Sequence, residues 1–355
     1  MRITKSVRKL EAYVPGEQPR TRSVVKLNTN ENPYPPSPKC RAVLTKFDLD
    51  ALRRYPDPNF TALREALAKL NRTSPERIFV GNGSDEVLAV ASKCFVENDE
   101  SIGSLDPSYS LYKTLAAIRG VKWVGTVQGA ECRVQGEPSA KHQAPSTQTS
   151  LFLWTNPNAP TGEFAEPARI AAFAKHFRGV VIVDEAYADF ARANCMPLAT
   201  AEDNRNIIVM RTFSKSYSLA GLRVGYCVGP VDLIEAMYKV KDSYNVDAVA
   251  QAVALAAVRD QKWMKANVRK VVATRARLVR ELERRGWDVL PSESNFLFAR
   301  PAHLPASELF ERLRGRHIYV RYFSGPKTGD RLRVTIGTDT QMNKFLKAID
   351  ELDFK

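Results

Sequence analysis

From residue 77 onward, short apolar runs alternate with stretches of helical period, and this alternation constrains the fold more than any other feature of the chain. Residues 77–80, 101–105, 122–124, 151–154, 180–183, 207–210 and 224–228 read as strands. Several hold two or more β-branched residues and end at Gly, Asp or Asn. Strands that alternate with helices predict βαβ units, hence an α/β fold with a mostly parallel sheet and helices on both faces. Ligands of such sheets bind beyond the C-terminal strand ends, so the chemistry is expected there.

The flanks read differently. Residues 1 to about 45 are rich in Pro, Asn and charge and predict an extended arm, where Pro33, Pro35, Pro36 and Pro38 exclude a helix. After the Tyr55-Pro56-Asp57-Pro58 turn, Phe60, Leu63, Leu67 and Leu70 keep the spacing of one helical face. Residues 125–149 are polar and read as a surface hairpin or loop. Residues 232–285 read as helical. From residue 287 a smaller α/β unit is expected, with strands near 296–299, 318–320 and 332–336 and a closing helix over 341–352. The expected organisation is a large domain over 46–245 and a small one made of 1–45 and 246–355.

Lys and Arg number 53 against 39 Asp and Glu, so the net charge of +14 favours an anionic partner. Half of that excess lies in residues 262–287, with nine basic and two acidic residues. Apolar positions keep helical spacing on the other side of this stretch, which reads as the solvated face of a surface helix. It carries no recognised nucleic-acid motif, so no nucleic-acid partner is expected. The five cysteines (Cys40, Cys94, Cys132, Cys195, Cys227) include no C-x-x-C pair, and the four histidines are scattered. No metal site or disulfide framework is expected, and a reducing, cytoplasmic setting is. The best apolar run, 248–258, is too short for a membrane span, and no apolar stretch follows the N-terminus, so neither a membrane nor a secreted location is expected.

Four motifs fall at strand ends. Gly81-Asn82-Gly83-Ser84-Asp85-Glu86 precedes an apolar helix, and the N–H groups of Ser84 and Asp85 would open it, as phosphate sites require. An ordinary capped turn accounts for the same residues. Asn156-Pro157-Asn158-Ala159-Pro160-Thr161-Gly162 is a rigid loop that projects Asn156 from a strand end. Asp184 ends a buried apolar strand, where a carboxylate is costly unless it meets a cation or donor, and Tyr187 can lean into the same crevice. Lys215 follows another such strand among Thr212, Ser214, Ser216 and Arg223. Desolvation there would lower its pKa and make it a nucleophile towards an aldehyde. A phosphate cradle, a carboxylate for a heterocyclic nitrogen, an amide and a phenol for a ring oxygen, and a lysine for an aldehyde together suit pyridoxal 5′-phosphate.

With these motifs in order, the chain resembles the fold-type I pyridoxal-phosphate aminotransferases, and within them the histidinol-phosphate aminotransferase family. The resemblance also takes in residues 27–38, Arg54-Tyr55-Pro56-Asp57, Asp106-Pro107-Ser108-Tyr109, Ser294-Asn295-Phe296-Leu297 and residues 332–338. It implies that Lys215 holds the cofactor aldehyde and acts as the catalytic base. It implies that Asp184 meets the pyridine nitrogen, Asn156 and Tyr187 the ring oxygen, and Tyr109 the ring face. Ser84, Asp85, Thr212, Ser214 and Arg223 would hold the phosphate, and Tyr55 would reach that of the partner subunit in a homodimer. Arg333 would clamp a substrate carboxylate and Arg321 the phosphate of histidinol phosphate, helped by Tyr13. The implied reaction exchanges the amino group of histidinol phosphate with 2-oxoglutarate. Threonine-phosphate decarboxylation and aromatic amino acid transamination are the alternatives in the same fold. One departure from the usual asparagine-proline loop is Ala159, where the family often has asparagine.

Overall fold

The computed structural model describes residues 3, 5–8, 10, 16–19, 24–126, 148–203 and 205–353. Strand β1 (Val25–Lys26) belongs to the N-terminal arm. Strands β2 (Ile78–Gly81), β3 (Ser101–Leu105), β4 (Lys122–Thr126), β5 (Thr149–Thr155), β6 (Val180–Asp184), β7 (Ile207–Thr212) and β8 (Gly225–Val228) form one sheet of seven. Its order is β2-β8-β7-β6-β5-β3-β4. The five strands from β4 to β7 pair in parallel, and β8 runs antiparallel to both β7 and β2. All seven expected strands are present, with ends displaced by a few residues, and the sheet is mostly parallel as the alternation predicts.

Side-chain alternation along β6 explains why helices cover both faces. Val181 and Val183 face one core with Phe152, Trp154 and Val209, while Ile182 faces the other with Ile102, Leu153 and Ile208. Val181, Ile182 and Val183 are all fully buried, each contributing about 1.5–3 kcal/mol. Such a strand can end in a carboxylate only where partners await it.

The C-terminal third forms strands β9 (Asp288–Val289), β10 (Phe296–Arg300), β11 (Ile318–Tyr319), β12 (Arg321–Tyr322) and β13 (Leu332–Thr335). A four-stranded antiparallel sheet has the order β12-β13-β10-β9, and β1 pairs with β11 in parallel. The arm is therefore pinned to the C-terminal sheet. Leu27 N–H donates to Tyr319 O at 2.7 Å and Thr335 N–H to Leu27 O at 3.0 Å, before the arm crosses to the strand ends of the large sheet. The region 232–285 resolves into helices Val231–Val240, Ala248–Val258 and Gln261–Glu283, and the closing helix is Asp339–Leu352, with Thr338 and Gln341 forming a capping box. No described helix is long and apolar enough to cross a membrane.

One expectation about the arm is corrected. Helix Pro38–Thr45 begins inside the proline-rich stretch. Pro38 occupies the first turn, where its missing N–H costs nothing, and Ser37 caps it by accepting from Lys39 N–H at 3.1 Å. Most of residues 125–149 lies outside the described residues.

Candidate active site

A cavity of about 500 Å³ opens beyond the C-terminal ends of the parallel strands. Its wall includes Asp106 after β3, Thr155 of β5, Asp184 of β6 and Thr212 of β7. Chain order reverses between β3 and β5, and such switch points leave a crevice in sheets of this kind.

The anion cradle forms where the turn after β2 meets the start of β8. Gly83 precedes helix Ser84–Cys94 at φ +80°, and a Cβ there would lie 2.5 Å from the Arg223 guanidinium. Gly225 is equally required, because a Cβ would sit 2.5 Å from Ser84 N. The helix N-terminus therefore opens towards Arg223, with Thr212 and Ser214 beside it on the cavity wall. Thr212 Oγ1 donates to Ser214 Oγ at 3.0 Å and accepts from Ser214 N–H at 3.1 Å. The Asp85 carboxylate accepts from Arg223 and from Tyr109 Oη, both at 3.3 Å. Its side chain thus faces the arginine and the tyrosine, which fits a backbone role in anion binding.

At the centre, Tyr112 Oη donates to Asp184 Oδ2 at 2.8 Å and Ala186 N–H to Oδ1 at 3.1 Å. Burial still raises the Asp184 carboxyl to about 6, against the pull of those donors. Lys215 Nζ donates to Thr29 O at 3.2 Å and lies 5.7 Å from the Tyr187 ring centroid. Burial and the nearby Arg333 guanidinium lower its pKa to about 8, while Glu31 and Asp85 oppose them. Beneath it, Arg211 pairs with Glu185 at 2.7 Å and Asp189 at 3.0 Å, and Ser216 donates to Asp189. This buried network braces the segment that carries Lys215. Burial raises the Tyr187 phenol above its ordinary value, and Tyr187 accepts from Asn30 Nδ2 at 3.0 Å.

Arg321 and Arg333 face each other in register across β12 and β13, and both line the cavity. Like charges directly opposite on neighbouring strands repel, so this pairing suits a site that receives an anion. The Phe323 ring centroid lies 5.4 Å from the Arg321 guanidinium and 5.2 Å from that of Arg333, while Arg333 also donates to Asn28 O at 3.0 Å.

Two expected residues do not line the cavity. Asn156 does not line the cavity. Its Nδ2 donates to Ala165 O at 2.9 Å and its Oδ1 accepts from Ala165 N–H at 2.8 Å. That two-point clamp closes the asparagine-proline loop, which presents Ala159 and Pro160 to the cavity instead. Tyr55 is 79% exposed, stacked on Tyr244 at 4.3 Å, and is not a wall of this cavity. Tyr13 lies outside the described residues. Conversely, Tyr112, Thr29 and Asn30 were not among the expected contacts. Tyr112 reads in sequence as a core position of its helix, and only the packing of helix Leu111–Arg119 brings it to Asp184.

Comparison with known proteins agrees with this arrangement. Residues 22–349 match the family model of aminotransferase class I and II. The chain is 43% identical over 350 residues to histidinol-phosphate aminotransferase 1 of Bradyrhizobium diazoefficiens, covering 98% of this chain and 97% of the relative. It is 44% identical over 350 residues to histidinol-phosphate aminotransferase 2 of Rhizobium meliloti, covering 97% of each. The crystal structure of histidinol-phosphate aminotransferase from Sinorhizobium meliloti in complex with pyridoxal-5′-phosphate superposes with a TM-score of 0.87 at 26% identity, over 99% of this chain and 97% of that one. L-threonine-O-3-phosphate decarboxylase from Porphyromonas gingivalis shares the fold alone, with a TM-score of 0.80 at 22% identity over 94% of this chain and all of that one. The chain belongs to the class I and II aminotransferases, and within them to the histidinol-phosphate aminotransferase family.

Proposed function

We propose that the protein transfers the amino group of histidinol phosphate to 2-oxoglutarate, giving imidazole acetol phosphate and glutamate, a step of histidine biosynthesis. The observation that carries this reading is the facing pair Arg321 and Arg333 on the wall shared with Lys215. A phosphate and a carboxylate must occupy one pocket in turn, and paired guanidinium forks suit both anions.

The donor set fits pyridoxal 5′-phosphate. Helix N-terminus Ser84, with Asp85 contributing its backbone, and Thr212, Ser214 and Arg223 would hold the phosphate. Asp184 would meet the pyridine nitrogen, Tyr187 the ring oxygen and Tyr109 the ring face. Asn156 is left out of this set, because its amide is engaged with Ala165. When bound, the cofactor supplies an aldehyde that captures the substrate amine and a ring that accepts electron density. Lys215, with its amine lowered to about 8, would hold that aldehyde and afterwards move a proton away from the substrate carbon. Burial holds the Asp184 carboxyl near 6 and no salt bridge to it is found among the described residues, so a protonated pyridine nitrogen would draw it back down and stabilise both charges.

The proposed units are residues 46–245, carrying the cofactor, and residues 1–45 with 246–355, carrying the arginines. Leu49, Leu52, Tyr55 and Tyr244 are exposed on one segment pair, which supports association with a second copy through that face. Tyr55 would then reach the partner's phosphate cradle. Sedimentation velocity is expected to give twice the monomer mass.

The reading is tested by the visible spectrum of purified holoenzyme before and after histidinol phosphate, with no keto acid present. The band of the Lys215-bound cofactor is expected to convert to that of the amine form. An unchanged band with histidinol phosphate, but conversion by an aromatic amino acid, would reject the substrate. Release of carbon dioxide from threonine phosphate would reject the reaction.

A further inference from the structure

Asn30 is 1% exposed and adopts a left-handed backbone at φ 55°, a conformation that asparagine tolerates better than most residues. Its backbone N–H donates to Thr335 Oγ1 at 3.0 Å. The Thr335 hydroxyl in turn donates to Asn30 Oδ1 at 3.0 Å. The Thr335 oxygen accepts the backbone N–H and its proton goes to Oδ1, so in this network the amide oxygen of Asn30 faces Thr335. Nδ2 therefore points at Tyr187 Oη and donates to it at 3.0 Å. Asn295 Nδ2 holds the other side of the loop by donating to Asn30 O at 3.0 Å.

A phenol has one proton to donate. With its oxygen accepting from Asn30, the Tyr187 proton is directed elsewhere, and among the described residues no hydrogen-bond acceptor takes it. Tyr187 lines the cavity beside Lys215. We propose that Asn30 is a positioning residue that fixes the direction of the Tyr187 O–H, so that its proton points into the cavity and serves the ring oxygen of the cofactor held by Lys215. This rests on the reading of Tyr187 as the ring-oxygen partner. Thr335 and Arg333 are two residues apart on β13 and share a face, so the same strand carries both the relay and an anion-binding arginine.

The consequence is spectroscopic. A proton donated to the ring oxygen competes with the proton on the nitrogen that joins Lys215 to the cofactor. Losing the donor should therefore raise the midpoint at which the bound cofactor's visible band titrates. Asn30→Asp keeps the size and the acceptor facing Thr335 but replaces the donor facing Tyr187 with an acceptor. Asn30→Gly accepts the left-handed backbone and removes the amide without adding charge. The holoenzyme band is titrated for both variants, alone and combined with Tyr187→Phe, with cofactor stoichiometry and circular dichroism as controls for folding. Tyr187→Phe and Asn30→Asp should each raise the midpoint by about 1–3 units, the first by losing the hydrogen bond to the ring oxygen, the second by drawing the Tyr187 proton away from it and adding a charge opposite to that of the protonated nitrogen. Asn30→Gly should raise it less. Both Asn30 effects should shrink sharply in the Tyr187→Phe background. Asn30 variants that leave the midpoint in place, or that shift it equally with and without the phenol, would overturn the proposal while the ring-oxygen reading stands. A Tyr187→Phe enzyme whose midpoint does not move would overturn that reading, and the proposal with it. If the glycine variant does not fold, Asn30→Asp with its double variant decides alone.

Discussion

Lys215→Ala is expected to abolish turnover and the visible band of the Lys215-bound cofactor while leaving the fold intact. Positioned proton transfer alone supplies about 10²–10⁴-fold, and the loss of the group that holds the aldehyde comes on top of it. The fold should survive because Lys215 stabilises little: its Nζ makes one hydrogen bond among the described residues, to the carbonyl of Thr29, while Arg211, Glu185, Asp189 and Ser216 brace the segment independently. The apo-protein offers a second readout with a definite sign. The native amine titrates near 8 and the unfolded one near 10.5, so between those values the unfolded chain binds more protons and native stability rises with pH. Below pH 8 both states are charged, and the native state carries the cost that lowers the Lys215 amine to about 8. Apo Lys215→Ala should therefore melt above apo wild type at pH 7, and the gap should close as the pH rises from 8 towards 10.5. Differential scanning calorimetry at several pH values checks this. Retained turnover in the variant would reject the assignment of Lys215.

The parts of this site that sequence discloses are those fixed by a strand end. A run such as Val180 to Val183 must be buried, and that alone sets the place of the next residue, Asp184. Lys215, three residues past β7, is legible for the same reason, and so is the Gly83 turn. The parts that stay hidden depend on contacts between distant segments. Tyr112 looks like one more helical core residue, and nothing local says that its hydroxyl meets Asp184. Asn30 sits in a polar loop, and its role follows only from Thr335, which is 305 residues away. The asparagine-proline loop is a further case. The turn turns Asn156 towards Ala165 and gives the wall to Ala159, a choice made by local geometry that periodicity does not encode. Pro38 misleads for a related reason: a proline excludes a helix from its interior but favours its first turn.

Arg321→Ala should cut kcat/KM for histidinol phosphate by roughly 30- to 1,000-fold, the equivalent of about 2–4 kcal/mol for a charge-assisted contact to an anion in a pocket. The glutamate half-reaction should fall less, because Arg333 on the facing strand remains to hold a carboxylate. Arg333→Ala should show the opposite bias. Each half-reaction is followed separately by stopped-flow absorbance of the bound cofactor, so the two effects are not averaged in turnover. Arg321→Lys should recover only part of the loss, since an ammonium keeps the charge but not the planar fork. The same experiment ranks the rival substrates. An enzyme built for aromatic amino acids brings no phosphate to Arg321, and its rate would barely respond to Arg321→Ala. An enzyme built for threonine phosphate would respond, yet it would release carbon dioxide rather than pass an amino group to 2-oxoglutarate. Loss biased towards the phosphorylated substrate, with the amino group recovered in glutamate, is the result that the facing arginines require.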